Sequence, residues 1–169
     1  MPLDIPDGSE VFVDANIFVY HFSGPTDLTE SCSEFLQRIA EAKLSAHTST
    51  LALAETLHRL MIIEASSKLH LDPKGTLRHL KTHPSDAKTL TAHLAAIEAV
   101  LAMGVKALPI EIEDVIRGND LKKEFGLLTN DSINLAVMGR HRLKHLATND
   151  LDFERVPGLT VWRPARLPP

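Results

Sequence analysis

Five carboxylates stand in places where this chain is otherwise apolar or just leaving an apolar run. Asp14 interrupts VFVDANIFVYHF (residues 11–22), with Asn16 two places on. Glu55 lies inside LALAETLHRLMII, Asp131 opens NDSINLAVM, and Asp150 and Asp152 follow HLAT. Asp14 and Asp150 each fall where a strand ends, so two strand ends present acids to one edge of a sheet. That is the edge at which parallel α/β folds hold their sites. For Asp14 alone a helix cap or turn former is an equal account; a second acid at a corresponding end favours a site. Glu55 projects in nearly the same direction as Leu51 and Ile62 at about 100° per residue. Among leucines, alanines and isoleucines a carboxylate is costly unless it meets a cation, a proton or a metal. The plainer alternative is an i,i+4 pair with Arg59, worth about 0.3–0.5 kcal/mol. Asp131, in a first helical turn, can simply match the helix dipole.

Taken as a set, these acids repel one another. Two such charges about 4 Å apart cost roughly 4 kcal/mol at an effective dielectric of about 20. Either some of them hold protons at raised pKa values or a cation neutralises them. All-oxygen ligands suit a hard divalent ion, Mg²⁺ or Mn²⁺, that keeps several waters and shares them with phosphates. Such an ion makes bound water more acidic and stabilises charge on a phosphoryl oxygen. On this reasoning Asp14 is a metal ligand.

The elements that must position these groups alternate along the chain. Residues 10–14 (EVFVD) form a continuous apolar strand, followed by a short helix from Ile17 to Phe22. The spacing of Leu28, Cys32, Phe35, Leu36 and Ile39 predicts a helix over 27–42. KLSAHTS (43–49) is a second strand, and Ser49 or Thr50 can cap the helix that carries Glu55. The middle is helical to Met103, punctuated by Pro73 and Pro84. GVKALPIEI (104–112) is a third strand whose Pro109 argues for an edge or a kink. Helices follow over 113–125, with Gly126 as stop, and over 130–142; strands at 145–150 and 159–164 complete the chain. Strands alternating with helices predict an α/β fold with a parallel sheet covered on both faces.

Composition narrows the class. A chain of 169 residues, 44% apolar and 24% charged, suits one soluble domain over 1–169, with 1–8 and 165–169 as loose ends. The single cysteine, Cys32, excludes an internal disulfide framework and a cysteine-cluster metal site. The start MPLDIPDGSE has neither a basic region nor an apolar signal core, and no long apolar stretch follows, so a cytoplasmic protein without membrane contact is expected. The net charge of −4 is not the basic footprint of a nucleic-acid binder. Acidic catalytic residues would count against that total, so positive charge toward phosphates would have to be local. The nine histidines sit beside no cysteine cluster and are read as ordinary surface or core residues rather than zinc ligands. Aromatics are too few, at 5%, for a base-stacking platform, and Trp162 is expected in the core.

Four stretches also resemble the motif regions of PIN-domain ribonucleases, above all the VapC toxins of toxin–antitoxin pairs. They are VDANIFVY (13–20), STLALAETL (49–57) around Glu55, TNDSINLA (129–136) and LATNDLDFERVPGL (146–159), in order across nearly the whole chain. The resemblance implies a three-layer α/β/α sandwich with a parallel sheet of about five strands. It implies a Mg²⁺- or Mn²⁺-dependent site that hydrolyses RNA, with Asp14, Glu55, Asp131 and Asp150 as the acidic quartet. Asp152 is an additional acid of the last motif, and Asp14, Asp131, Asp150 and Asp152 are the expected metal ligands. Asn16 and Thr148 match the polar residues that orient the first aspartate and nearby water. Family members commonly dimerise, and toxin members are silenced by an antitoxin whose tail crosses the acidic cleft. A housekeeping RNA-processing nuclease, or a silent docking module, would carry a similar pattern.

For contacts to RNA the local candidates are Arg140, Arg142 and Lys144 in GRHRLKH (139–145), with Lys122 and Lys123 as a weaker second patch. Cations at a helix C-terminus also simply match the dipole. A phosphatase or receiver domain that phosphorylates the first aspartate ranks lower: position 16 is Asn rather than a second acid, and LATNDLDF has no lysine.

Overall fold

A computed structural model describes residues 3–166 of the chain. The strands are β1 (Glu10–Val13), β2 (Ser45–Ser49), β3 (Lys106–Leu108), β4 (His145–Ala147) and β5 (Thr160–Trp162). The helices are α1 (Ala15–Phe22), α2 (Thr29–Ala40), α3 (Thr50–Lys68), α4 (Pro73–Thr82), α5 (Pro84–Ala87), α6 (Leu94–Ala102), α7 (Ile112–Phe125) and α8 (Thr129–Arg140). A 3₁₀ turn spans Leu151–Arg155.

All neighbouring strands are parallel, in the order β3-β2-β1-β4-β5. The chain steps outward from β1 to β2 and β3, then crosses back to lay β4 and β5 on the other side. The connections leaving β1 and β4 therefore diverge. Such a reversal opens a crevice beyond the carboxyl ends of the two strands.

Side chains alternate across each strand with a period of two. Val11 and Val13 join the cluster built on Ile17, Phe18, Cys32, Phe35, Leu36 and Ile39 from α1 and α2. Phe12, between them, joins Leu121 of α7 and Leu135–Met138 of α8 on the opposite face. Leu146 and Ala147 divide in the same way. One strand thus feeds two cores, which makes the α/β/α sandwich.

The bounds of strands and helices shift relative to the sequence reading. Helix α1 starts at Ala15 rather than Ile17, because the Asp14 side chain caps it. The third strand shrinks to Lys106–Leu108 at the sheet edge, where the missing N–H of Pro109 costs no ladder bond. Trp162 is half-buried, and its indole N–H donates to His145 Nδ1 (3.1 Å). Within the two ends expected to be loose, the described residues make the following contacts. Ile5 is fully buried and Leu3 nearly so, both packed into the α1–α2 core. The Arg38 guanidinium donates to the carbonyls of Leu3 and Ile5 and pairs with Asp7 at 2.7 Å. At the other end, the Ala165 N–H donates to Ser31 Oγ (3.0 Å). Residues 1–2 and 167–169 of those expected ends lie outside the described residues.

Helix α7 ends on Gly126 in the left-handed region (φ 69°), where a residue without Cβ is unstrained. Gly118, in the middle of α7, lets α8 come close. A Cβ there would stand 3.0 Å from Ile133 Cγ1 and 3.2 Å from the Ile133 amide nitrogen. Gly118→Ala should cost about 1–3 kcal/mol by overpacking, read from urea unfolding. An unchanged midpoint would show that the two helices separate freely.

Candidate active site

The crevice between β1 and β4 is occupied by carboxylates. Asp14 leaves β1 in an extended conformation and becomes the N-cap of α1, with Oδ1 accepting from the Ala15 N–H (2.7 Å). Oδ2 accepts from Thr148 Oγ1 (2.7 Å) and Asn16 Nδ2 (2.5 Å). Asn16 Nδ2 also donates to Thr148 Oγ1 (2.8 Å), and Asn16 Oδ1 accepts from the Asn149 N–H (3.1 Å). Thr148 Oγ1 accepts in turn from the Asp150 N–H (3.1 Å). One lattice of polar groups therefore ties the end of β1 to the end of β4. Asp150 caps the 3₁₀ turn by accepting from the Asp152 N–H (2.9 Å).

Asp131 lies in the first turn of α8 and faces this group from the side. Burial pushes the Asp14 carboxyl up to about 6, despite the opposing bonds from Thr148 and Ala15. Asp131 is pushed up to about 7, by burial first and then by the charges of Asp14, Asp150, Glu55 and Asp152. The structure thus brings Asp14, Glu55, Asp150 and Asp152 within electrostatic reach of Asp131.

Glu55 is a correction in its surroundings. Its side chain is 31% exposed rather than enclosed by apolar groups, because residues 54, 55, 58 and 59 form the open side of α3. It pairs with Arg59 (3.7 Å) and accepts from Asn130 Nδ2 (3.3 Å). Asp152 is engaged by Arg155 at the rim of the cleft.

The proposed basic patch lies elsewhere. Arg142 and Lys144 precede β4, at the amino edge of the sheet, whereas Asp14 and Asp150 follow the carboxyl ends. Arg140 ends α8, nine residues or about 13 Å along the helix from Asp131. Its guanidinium is committed to buried Asp114 through Nε (3.0 Å) and Nη2 (2.8 Å), and to the Pro109 carbonyl (2.7 Å).

Several residues of the site had no separate signal in the sequence. A cleft of about 400 Å³ beside the acids is lined by Asn16, Tyr20, Arg59, Asn149, Asp150 and Leu151. Arg59, weighed above only as a pairing partner of Glu55, is the cation that faces it. Asn149 Nδ2 bonds the Tyr20 hydroxyl (3.2 Å) and its Oδ1 accepts from Arg163 (3.4 Å). Buried Asn134 accepts from Ser49 Oγ (2.6 Å), while Ser49 caps α3 through the Ala52 N–H (2.9 Å). That pair fixes α3, and so Glu55, against α8, and so Asp131. A lone amide within INLAVM was the available clue to Asn134.

The pH consequence follows from the direction of the Asp131 shift. An acid whose folded pKa lies above its unfolded value binds more protons when folded. Its neutral form favours the fold at low pH, and that stability is lost as pH rises from about 4 to about 7. Metal-free Asp131→Asn should therefore melt above the wild type at pH 8 and match it near pH 4. Equal melting temperatures at both pH values would show that neither burial nor the neighbouring carboxylates raise Asp131.

Comparison with known proteins gives the same frame. The chain is 22% identical to Ribonuclease VapC2 of Methanocaldococcus jannaschii, over 90% of this chain and 93% of the relative. It is 24% identical to Ribonuclease VapC6 of the same organism, over 90% and 96%. Among solved structures it superposes on VapBC2 of Rickettsia felis, bound to a promoter DNA fragment, with a TM-score of 0.60 at 16% identity, covering 92% of this chain and 99% of that one. Mycobacterium tuberculosis VapC20, described as a sarcin–ricin loop cleaving toxin, gives 0.58 at 16% identity, over 85% and 92%. The PIN domain family model matches residues 11–159, the span from β1 to the turn before β5 that carries every acid of the cleft. The chain belongs to the PIN domain family.

Proposed function

We propose that this protein is a metal-dependent endoribonuclease of the toxin type. The observation that carries the reading is the convergence of Asp14, Glu55, Asp131, Asp150 and Asp152 at the sheet's switch point, with Asp131 pushed up to about 7. Five carboxylates are held there against their own repulsion, and a hard divalent cation is the partner that would relieve it. The donor set is all oxygen, which suits Mg²⁺ or Mn²⁺. Asp14, Asp131, Asp150 and Asp152 would hold the ion, with Glu55 at the edge of the same group. Among the described residues no three His, Cys, Asp or Glu side chains stand as a ready-made metal site; a hard ion such as Mg²⁺ keeps several of its own waters and does not require one. When bound, the ion supplies a more acidic water and charge stabilisation at a phosphoryl oxygen.

The chain's own residues do the positioning. Thr148 and Asn16 hold the Asp14 carboxylate in one orientation through bonds of 2.7 and 2.5 Å. Arg59 faces the cleft as a cation for a substrate phosphate, and Glu55 keeps it there through the 3.7 Å pair. Asn130 donates to Glu55 and holds that carboxylate toward α8. RNA as substrate, and an antitoxin as partner, rest on the named ribonuclease relatives and on toxin–antitoxin complexes among the structural neighbours. A homodimer and a cytoplasmic setting belong to the same reading. Among the described residues no helix is long and apolar enough to cross a membrane.

The test is cleavage of a mixed RNA pool with and without Mn²⁺. Asp14→Asn should lose about 100-fold or more of the metal-dependent rate while keeping its fold, since even groups that only orient a metal ligand are worth roughly 10–100-fold. Thr148→Val, which removes a donor to Asp14, should fall in that lower range of about 10–100-fold. Full activity in Asp14→Asn would remove the metal assignment. Absence of both metal binding and cleavage in the wild type would remove the nuclease reading.

A further inference from the structure

The substrate cations expected from the sequence are on the far edge of the sheet, and the protein as a whole carries a net charge of −4. One segment runs against that balance. Between Lys68 and Lys88 the chain holds Lys68, Lys74, Arg78, Lys81 and Lys88 against only Asp72 and Asp86. Both acids are occupied. Asp72 caps α4 through the Lys74 N–H (2.8 Å), and Asp86 bonds His79 Nε2 (2.7 Å). Lys68 is also engaged, donating to the Thr89 carbonyl (2.8 Å).

Lys74, Arg78 and Lys81 are different. They stand at i, i+4 and i+7 on α4, within an arc of about 60° on the helix surface. All three are exposed, and none forms an ion pair among the described residues. The opposite side of α4 is used for packing: Thr76 and Leu80 are buried, and Leu80 joins Ala65 and Leu90 against the end of α3. The stripe is therefore held outward by the helix's own core contact. Its charges are spaced about 6 and 4.5 Å along the axis, a continuous cationic line about 10 Å long. Helix α3 links this line to the acids. From Glu55 to Ala65 is ten residues, about 15 Å of helix.

We propose that the Lys74–Arg78–Lys81 face of α4 is a docking surface for the phosphate backbone of RNA lying beyond the cleaved bond. The inference rests on the ribonuclease reading above. An acidic cleft repels a polyanion and Arg59 is a single cation at its side, so most of the binding strength falls to cations outside it. Spaced point charges contribute that strength without reading sequence, through release of condensed counterions. The arm sets affinity for long or folded RNA, and the cleft sets where it is cut.

The experiment compares wild type with K74Q/R78Q/K81Q, and with K43Q/K106Q as a charge control, two exposed lysines at the amino ends of β2 and β3. Anisotropy of a labelled RNA hairpin in EDTA is followed from about 50 to 200 mM salt. The triple variant should bind more weakly at low salt, and its log–log salt slope should fall by about 2–3, at about 0.7–0.9 per phosphate contact. The control should keep the wild-type slope. With Mn²⁺, cleavage of a trinucleotide, too short to reach α4, should be unchanged in the triple variant while cleavage of the hairpin slows. Equal hairpin affinity and slope in wild type and triple variant would overturn the proposal and leave the nuclease reading standing. Loss of trinucleotide cleavage in the triple variant would also overturn it, because the charges would then act at the cleft or on folding. Unchanged RNA binding with lost capture of a co-expressed antitoxin would assign the stripe to a protein instead. A wild type that neither binds nor cuts RNA would overturn both readings.

Discussion

The Asp14 carboxylate sits buried at the carboxyl end of the central strand, bonded by the Ala15 N–H, the Thr148 hydroxyl and the Asn16 amide. Removing a carboxylate from water is costly, and these donors return part of what hydration supplied. Thr148 belongs to the end of β4 and Asn16 to the first turn of α1, so the same bonds join strand, helix and neighbouring strand. The start of α1, the β1–β4 crevice and the course of residues 148–150 all depend on that one anchored group. Thr48 strengthens the same strand end from the other side, donating to the Val13 carbonyl (2.8 Å).

Around that anchor the governing constraint is repulsion among like charges. Nothing local in α8 obliges Asp131 to face Asp14; helix packing does. Gly118 admits Ile133 to close contact, and the Ser49–Asn134 bond fixes α8 against the start of α3. The strain collects on Asp131, which lies deep enough to lose solvation yet beside four other acids. Perturbed carboxyls in a cleft are the expected signature of a site that takes a cation or moves a proton. The fold therefore holds its acids in an arrangement that its own metal-free stability disfavours.

The distribution of cations complements this. Arg140 is the partner of buried Asp114, a structural pair between α7 and α8 in which the bidentate fork also reaches the Pro109 carbonyl. Arg155 and Arg163 are drawn to Asp152, Glu154 and Asn149 around the 3₁₀ turn. Arg59 faces the cleft, and the α4 stripe extends positive charge along the outer helices. A net acidic chain can thus engage a polyanion through local patches, because screening over about 8–10 Å at physiological ionic strength makes the whole-chain charge a poor guide.

The linear chain by itself determined the strand–helix alternation, the acids Asp14 and Asp150 at strand ends, a cap at Ser49 or Thr50, and an edge or a kink at Pro109; the structure takes the Ser49 cap and the edge. Each of these is written in a few neighbouring residues through period-two or helical spacing and through turn chemistry. Residue order could not supply what depends on groups far apart in the chain. It could not tell that Glu55 faces an open cleft beside Arg59 rather than an apolar core, since the missing direction is set by how α3 packs on its neighbours. It placed Arg140, Arg142 and Lys144 near Asp150 because they are near in sequence, yet β4 intervenes and carries them to opposite edges of the sheet. It held no sign that Ile5, within the end 1–8 expected to be loose, is buried, because the partners that bury it and bond its carbonyl lie some thirty residues on, in α2. It passed over the α4 stripe, where a helical pattern of cations means something only once the opposite face is known to be buried. Local pattern decides which elements form, and the sheet order decides which of their side chains meet.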